Sequence, residues 1–273
     1  MKATLVFLLA LAFGLESCGK HVTGSKNIVE KAIRTESFSA IASVGLFDIF
    51  YTQRPGEPQV KVITSDNVID LLNIYVKNGI LQIEMKPGYN VSVKKLEVYV
   101  SSESLNSLNL AGSGDAKLLG TVRSPKLSLT VAGSGDIESS NLECEHLNLH
   151  IAGSGEIDLH DVRSHTIKGD IAGSGDLQLE RIAANEVSFS IVGSGEVELK
   201  GTTQKARYQI AGSGEIDAKE LQASEVHATA SGSGDISCYA TDFLNAEALG
   251  SGRIGYIGNP KLSASDRGVY PIR

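Results

Sequence analysis

Residues 131–157 read VAGSGDIESSNLECEHLNLHIAGSGEI, and the fold follows from how this stretch repeats. The tripeptide Gly-Ser-Gly begins at 112, 133, 153, 173, 193, 212, 232 and 250, so successive copies lie 18 to 21 residues apart. A flexible Gly/Ser linker would not carry a fixed apolar frame between its glycines. This chain does. Counting each first glycine as zero, offset 4 holds Ala116, Ile137, Ile157, Leu177, Val197, Ile216, Ile236 and Ile254. Offset 6 holds Leu118, Ser139, Leu159, Leu179, Leu199, Ala218, Cys238 and Tyr256. Offset 9 adds Leu142, Val162, Ile182 and Leu221, and triplets such as Leu147/Leu149/Ile151 precede the next glycine. Alternation with period two means strands with one buried face.

A unit of about 20 residues with short strands cannot bury its apolar face alone, whereas stacked copies bury it continuously. The sequence therefore predicts an all-β, right-handed parallel β-helix of about eight coils, in which like residues stack about 4.8 Å apart. The paired glycines fall where the inward alternation reaches the corner, so a missing side chain there would let the coil turn tightly. Valine at either glycine is expected to damage the coil. Cys238 takes an inward slot and Cys144, at offset 11, is read as lying outside the strand frame. Five coils, or roughly 24 Å, separate them, too far for a disulfide.

Working outward, residues 1–17 hold Lys2 followed by an apolar run from Leu5 to Leu15, which reads as a signal peptide. Leu15-Glu16-Ser17-Cys18 resembles a bacterial lipobox, with Glu16 a departure from the usual small or apolar residue, and Cys18 is the expected lipidation site. Residues 18–36 read as an irregular lipidated tether. Residues 37–110 are strand-rich without the glycine period, with Asn78-Gly79 a hairpin signal, and read as a β region capping the solenoid. Residues 111–258 form the repeat, and 259–273 are expected to cover its far end. The whole chain of 273 residues carries a net charge of −7, which argues against nucleic acid as a partner.

The repeated units Ala132–Ile137, Ala152–Ile157, Ala172–Leu177 and Ala211–Ile216, with the variant Ala111–Ala116, behind a strand-rich half, resemble the head GIN domain. That family is described as autotransporter-adhesin heads and is common in Bacteroidetes lipoproteins. The resemblance spans residues 37–273 and implies a lipid-anchored envelope module, expected on the outer membrane and facing either periplasm or surface. It says far less about activity.

Chemistry is concentrated in one acidic column. Offset 3 holds Asp115, Asp136, Glu156, Asp176, Glu196, Glu215 and Asp235, ending at Arg253, and offset 5 adds Glu138, Asp158, Glu198 and Asp217. Stacked carboxylates about 5 Å apart repel by roughly 1 kcal/mol per pair in water. Relief could come from Ca²⁺, from a basic partner, or from turn amides on a solvated face. The nine-residue Ca²⁺-binding β-roll motif is not met, and no cofactor is otherwise indicated. The serine column (Ser113, Ser134, Ser154, Ser174, Ser194, Ser213, Ser233, Ser251) has no histidine at a fixed offset to act as base. His146 and His165 fall in adjacent coils, without an evident third metal ligand. His21, His150, His160 and His227 form no constellation. The reading is a non-catalytic, adhesin-like binding or structural module whose ligand would be a glycan or an envelope protein. The alternatives are a carbohydrate-active β-helix enzyme, disfavoured because no coil carries a long cleft-building loop, and a cation-binding envelope module.

Overall fold

A computed structural model describes residues 19–264 and 267–272. Twenty strands run in chain order: β1 (Lys20–Thr23), β2 (Ile28–Ile33), β3 (Ala40–Gly45), β4 (Asp48–Gln53), β5 (Gln59–Ser65), β6 (Leu72–Lys77), β7 (Ile80–Met85), β8 (Tyr89–Ser92), β9 (Leu96–Ser102) and β10 (Ser107–Gly112) form the first half. Then come the long winding strands β11 (Ala116–Gly133), β12 (Asp136–Gly153), β13 (Glu156–Gly173), β14 (Asp176–Gly193), β15 (Glu196–Gly212), β16 (Glu215–Gly232) and β17 (Asp235–Gly250), closed by β18 (Ile254–Ile257), β19 (Lys261–Ala264) and β20 (Val269–Pro271). The one helical element among the described residues is a 3₁₀ turn at Ile69–Leu71.

β10 to β18 pair in parallel, each coil on the next, with like residues in register: Ile137 lies beside Ile157, Ile157 beside Leu177, and Gly153 beside Gly173. The inward columns are closed to solvent, with Ile137, Ile157, Leu177, Val197 and Ile216 all 0% exposed. Within a coil such as 156–173 the buried/exposed alternation is broken by paired outward residues, at His160–Asp161 and His165–Thr166, as well as at the glycine triplet. Each break is a corner of the coil.

One corner corrects the reading of Cys144. Its register partners Ser124 and Ser164 point inward and are buried, as is Thr203 at the same corner two coils on, and each hydroxyl donates to the carbonyl two residues on, at Lys126 (2.8 Å), Thr166 (2.9 Å) and Lys205 (3.2 Å). Cys144 takes the same slot, half-buried, with Sγ 3.6 Å from Ser164 Oγ. Small polar side chains at this position read as loop, but here they close a turn locally. Cys144 and Cys238 are both free thiols, and burial pushes the Cys238 thiol up to about 12.

The stacking also begins earlier than the first Gly-Ser-Gly. β3 pairs with β10 and places Gly45 beside Gly112, and β4 pairs with β11 and places Ile49 beside Ala116. Residues 44–49, VGLFDI, are a degenerate copy of AGSGDI in which the fully buried Phe47 replaces the second glycine. β7 and β9 stack in parallel on β3 and β4, while β6 pairs antiparallel with β7, β5 with β9, and β2 with β5. The segment expected as an irregular tether is ordered from Lys20: β1 pairs with β8, and β2 pairs with β5 through Ile28–Ser65 to Ile33–Val60. Its apolar residues are few, but backbone pairing with strand edges supplies what composition did not advertise. The signal peptide and Cys18 lie outside the described residues. At the far end β19 pairs with β17 and β20 with β18.

Tyr208 shows how tightly the interior is filled. It is fully buried, its hydroxyl has no hydrogen-bond partner, and burial raises its pKa well above the ordinary phenol value. Leaving such a donor unpaired costs about 1–3 kcal/mol. Tyr208→Phe is therefore expected to raise the denaturant midpoint without changing the slope of unfolding. A lower midpoint would show that the hydroxyl is partnered.

Candidate functional site

The acidic column is assembled by the glycine corner. The first glycine of each triplet has φ near +135° and the preceding coil's glycine carbonyl accepts from the following serine amide, as in Ser174 N to Gly153 O at 2.9 Å. The second glycine is buried, and the chain then emerges as an outward carboxylate. Offset 3 residues consequently stack in register from Asp136 through Glu156, Asp176, Glu196 and Glu215 to Asp235. The column starts one coil earlier than the repeat implies, at Asp48. Its signal was the Gly45–Asp48–Ile49 spacing, hidden by the loss of Ser and of the second Gly.

Turn amides relieve part of the repulsion. Asp115 Oδ1 accepts from the Asp136 amide (3.1 Å), Asp136 Oδ1 from the Glu156 amide (3.0 Å), and Asp235 Oδ1 from the Arg253 amide (2.9 Å). Three offset 5 acids find cations, Glu138 with Lys117 (2.8 Å), Glu198 with Lys200 (2.7 Å) and Asp217 with Lys219 (2.8 Å), and Asp158 lies near His160 (3.7 Å). Arg253 ends the column against Asp235 at 2.6 Å and holds that carboxyl below its usual range. Among the described residues Asp136, Glu156 and Glu196 have no ion-pair partner, and partial burial followed by neighbouring carboxylates pushes their pKa values up; Asp48 is raised by burial too.

A carboxyl whose pKa rises on folding binds its proton more tightly in the folded state. It weakens the fold above its folded pKa, and the penalty fades as pH falls through that value. Glu156→Gln is expected to raise Tm at pH 7 by about 1–2 °C, the scale of one exposed like-charge contact. The gain should close below about pH 4, where wild-type Glu156 is protonated. An equal gain at both pH values would mean that charge is not the cause.

Among the described residues, no group of three or more His, Cys, Asp or Glu side chains converges as a metal site would require. His146 and His165 do meet, with ring centroids 6.5 Å apart, but each is engaged separately, by Thr166 Oγ1 (2.8 Å) and by the Asn185 amide (2.9 Å). His160, read as isolated, sits beside Glu180 (3.2 Å), which also faces Lys200 and Arg181. His227 pairs with Glu225 at 2.8 Å. The serines of the column point to solvent with their amides tied to the coil before.

The chain's likeness to known proteins agrees with this architecture. Residues 37–161 and 149–260 match the family described as "Putative auto-transporter adhesin, head GIN domain". None of the curated proteins matches. Among solved structures, a putative lipid binding protein from Parabacteroides distasonis aligns at 28% identity and TM-score 0.73 over 93% of this chain and 100% of its own. A putative adhesin from Parabacteroides merdae aligns at 23% identity and TM-score 0.73 over 93% and 99%. Another from Parabacteroides distasonis aligns at 23% and 0.76 over 92% and 99%. The latter two speak to the fold alone.

Proposed function

The chain belongs to the head GIN domain family, and from that premise we propose that it is a non-catalytic, adhesin-like binding module held at the cell envelope, on the outer membrane, by lipid on Cys18. The observation that carries this reading is the evenness of the coils. Successive triplets from 112 to 250 lie 18 to 21 residues apart, so no inserted loop rises above the sheet faces to wall a cleft. A ligand must then be held on an open face, which suits recognition of an extended partner better than enclosure of a reacting group. The description of one relative as lipid binding finds less support here. The interior columns are closed by Ile, Val and Leu, leaving no room inside for an acyl chain.

Protease shaving of intact cells, with mass spectrometry of released peptides, tests the placement: release of solenoid peptides is expected, and full protection would exclude adhesion. Incubating the purified protein with acidic and neutral polysaccharides tests the chemistry. Binding without turnover is expected, and any chain cleavage would overturn the non-catalytic reading.

A further inference from the structure

Four adjacent strands of the first half place Lys117, Phe50, Tyr99 and Lys61 side by side in one transverse row across β11, β4, β9 and β5. All four side chains are on the outward face, Lys117 exposed and Phe50, Tyr99 and Lys61 half-buried. The Phe50 and Tyr99 rings stack at 4.9 Å and 16°, and Lys61 Nζ lies 5.0 Å from the Tyr99 ring centre. The next row along the strands begins with the exposed Leu119 on β11 and is polar beyond it, through Thr52, Ser101 and Gln59, with Arg54 Nε donating to Ser101 Oγ at 2.9 Å. On the other side lie Asp48 and Glu97, the latter accepting from Tyr99 Oη at 2.9 Å and facing Lys95 at 3.1 Å. An open cavity of about 290 Å³ is lined by Phe50, Thr52, Arg54, Gln59, Lys61 and Tyr99, with no carboxylate in its wall.

This composition stands apart from the rest of the surface. Residues 111–258 hold 21 acidic and 11 basic side chains, whereas residues 19–110 hold 9 and 10. The chain has no tryptophan and only 15 Phe and Tyr, and Tyr51, Tyr208, Phe47 and Phe189 are fully buried. Two of the remaining aromatics are placed in contact with each other beside Lys61 and Arg54. Lys61 and Lys117 have carboxylate partners at Glu30 (3.3 Å) and Glu138 (2.8 Å), both exposed and exchangeable with solvent. Among the described residues the Arg54 guanidinium donates to the Ser101 hydroxyl alone, so its fork keeps donors for a carboxylate.

We propose that this row is the binding subsite for an acidic saccharide, a sugar chain carrying ring carboxylates such as a uronic-acid polymer. The aromatic pair supplies apolar contact for a sugar ring, Thr52 and Gln59 supply donors and acceptors for its hydroxyls, and Arg54 with Lys61 receives the carboxylate. An acyl chain would need apolar depth that a shallow cavity lacks. A polyphosphate chain has no apolar ring face to meet the stacked Phe50 and Tyr99 rings. The assignment rests on the binding reading above and names its ligand class.

The test titrates the chain without its lipidated residue, residues 19–273, with an oligogalacturonate, with its methyl ester, and with inorganic phosphate, following amide shifts by NMR. The expected result is saturable shifts at β4, β5 and β9 with the acid, at least tenfold weaker binding of the ester, and none with phosphate alone. Arg54→Gln and Tyr99→Ala should each weaken acid binding about tenfold with Tm unchanged, while Arg163→Ala, on a distant coil, should not. Equal binding of acid and ester, shifts that map elsewhere, or full affinity in both site variants would overturn this subsite while leaving the adhesin reading standing. Chain cleavage would instead overturn that reading.

Discussion

Gly173→Val is expected to lower Tm by roughly 4–24 °C, the scale of a loss of about 2–6 kcal/mol in a chain of this size. Two independent costs meet at this position. Gly173 has φ +135°, which a β-branched residue adopts only with strain of about 1–3 kcal/mol. A Cβ there would also lie 2.4 Å from the Gly153 carbonyl oxygen, which is backbone and itself hydrogen-bonded to Ser174 N at 2.9 Å. Relieving that contact means parting two coils, a further cost of about 1–3 kcal/mol on the scale of overpacked cores. Gly56→Val is the control: φ is +102° but nothing lies within 4 Å, so only the backbone strain applies. Thermal melts of both variants measure the stacking cost as their difference. Equal losses would show that the tight approach of successive coils is not why glycine is required.

Gly169→Leu should also destabilise, by about 1–3 kcal/mol, although it restores the residue its column uses elsewhere. The column runs Leu129, Leu149, Gly169, Phe189, Tyr208, Ala228, Ala246. A Cβ on Gly169 would meet Phe189 ring carbons at 2.5 Å and Leu177 Cδ1 at 2.9 Å. The Phe189 ring therefore occupies the space a side chain at 169 would take. Phe189→Leu alone leaves a cavity and is expected to cost about as much. Together they rebuild a leucine column, so the double variant should be more stable than the sum of the single losses by about 2 kcal/mol or more, read as a double-mutant cycle from denaturant midpoints. Simple additivity would mean that the two positions do not share volume.

These cases show what the sequence made legible. Columns at offsets 4, 6 and 9 were readable because parallel stacking puts each residue against its own equivalent, so periodicity in the chain is periodicity in the core. Size exchange between neighbouring coils was not readable, because Gly169 and Phe189 look like unrelated exceptions until they touch. Asp48 escaped because its coil lost two of the three corner residues, Phe47 filling one place with a buried ring. Cys144 escaped because small polar residues signal a loop by composition, and only the inward hydroxyl-to-carbonyl bonds of Ser124 and Ser164 identify a corner. The row of Lys117, Phe50, Tyr99 and Lys61 could not be read at all. Its members lie on four strands brought together by pairings of both directions, which no local pattern encodes.

Because every rung meets an equivalent rung, the molecule behaves as a ruler with interchangeable divisions. Excising residues 196–214 would bring Glu215 directly after Gly195, leave a matching junction, and shorten the rod by one step of about 4.8 Å. Excising 156–175 would be as regular in its backbone yet would set Phe189 against Leu149, so not every division is equally removable. The length of the stack is thus a trait that can change by whole increments while the first-half face is left untouched.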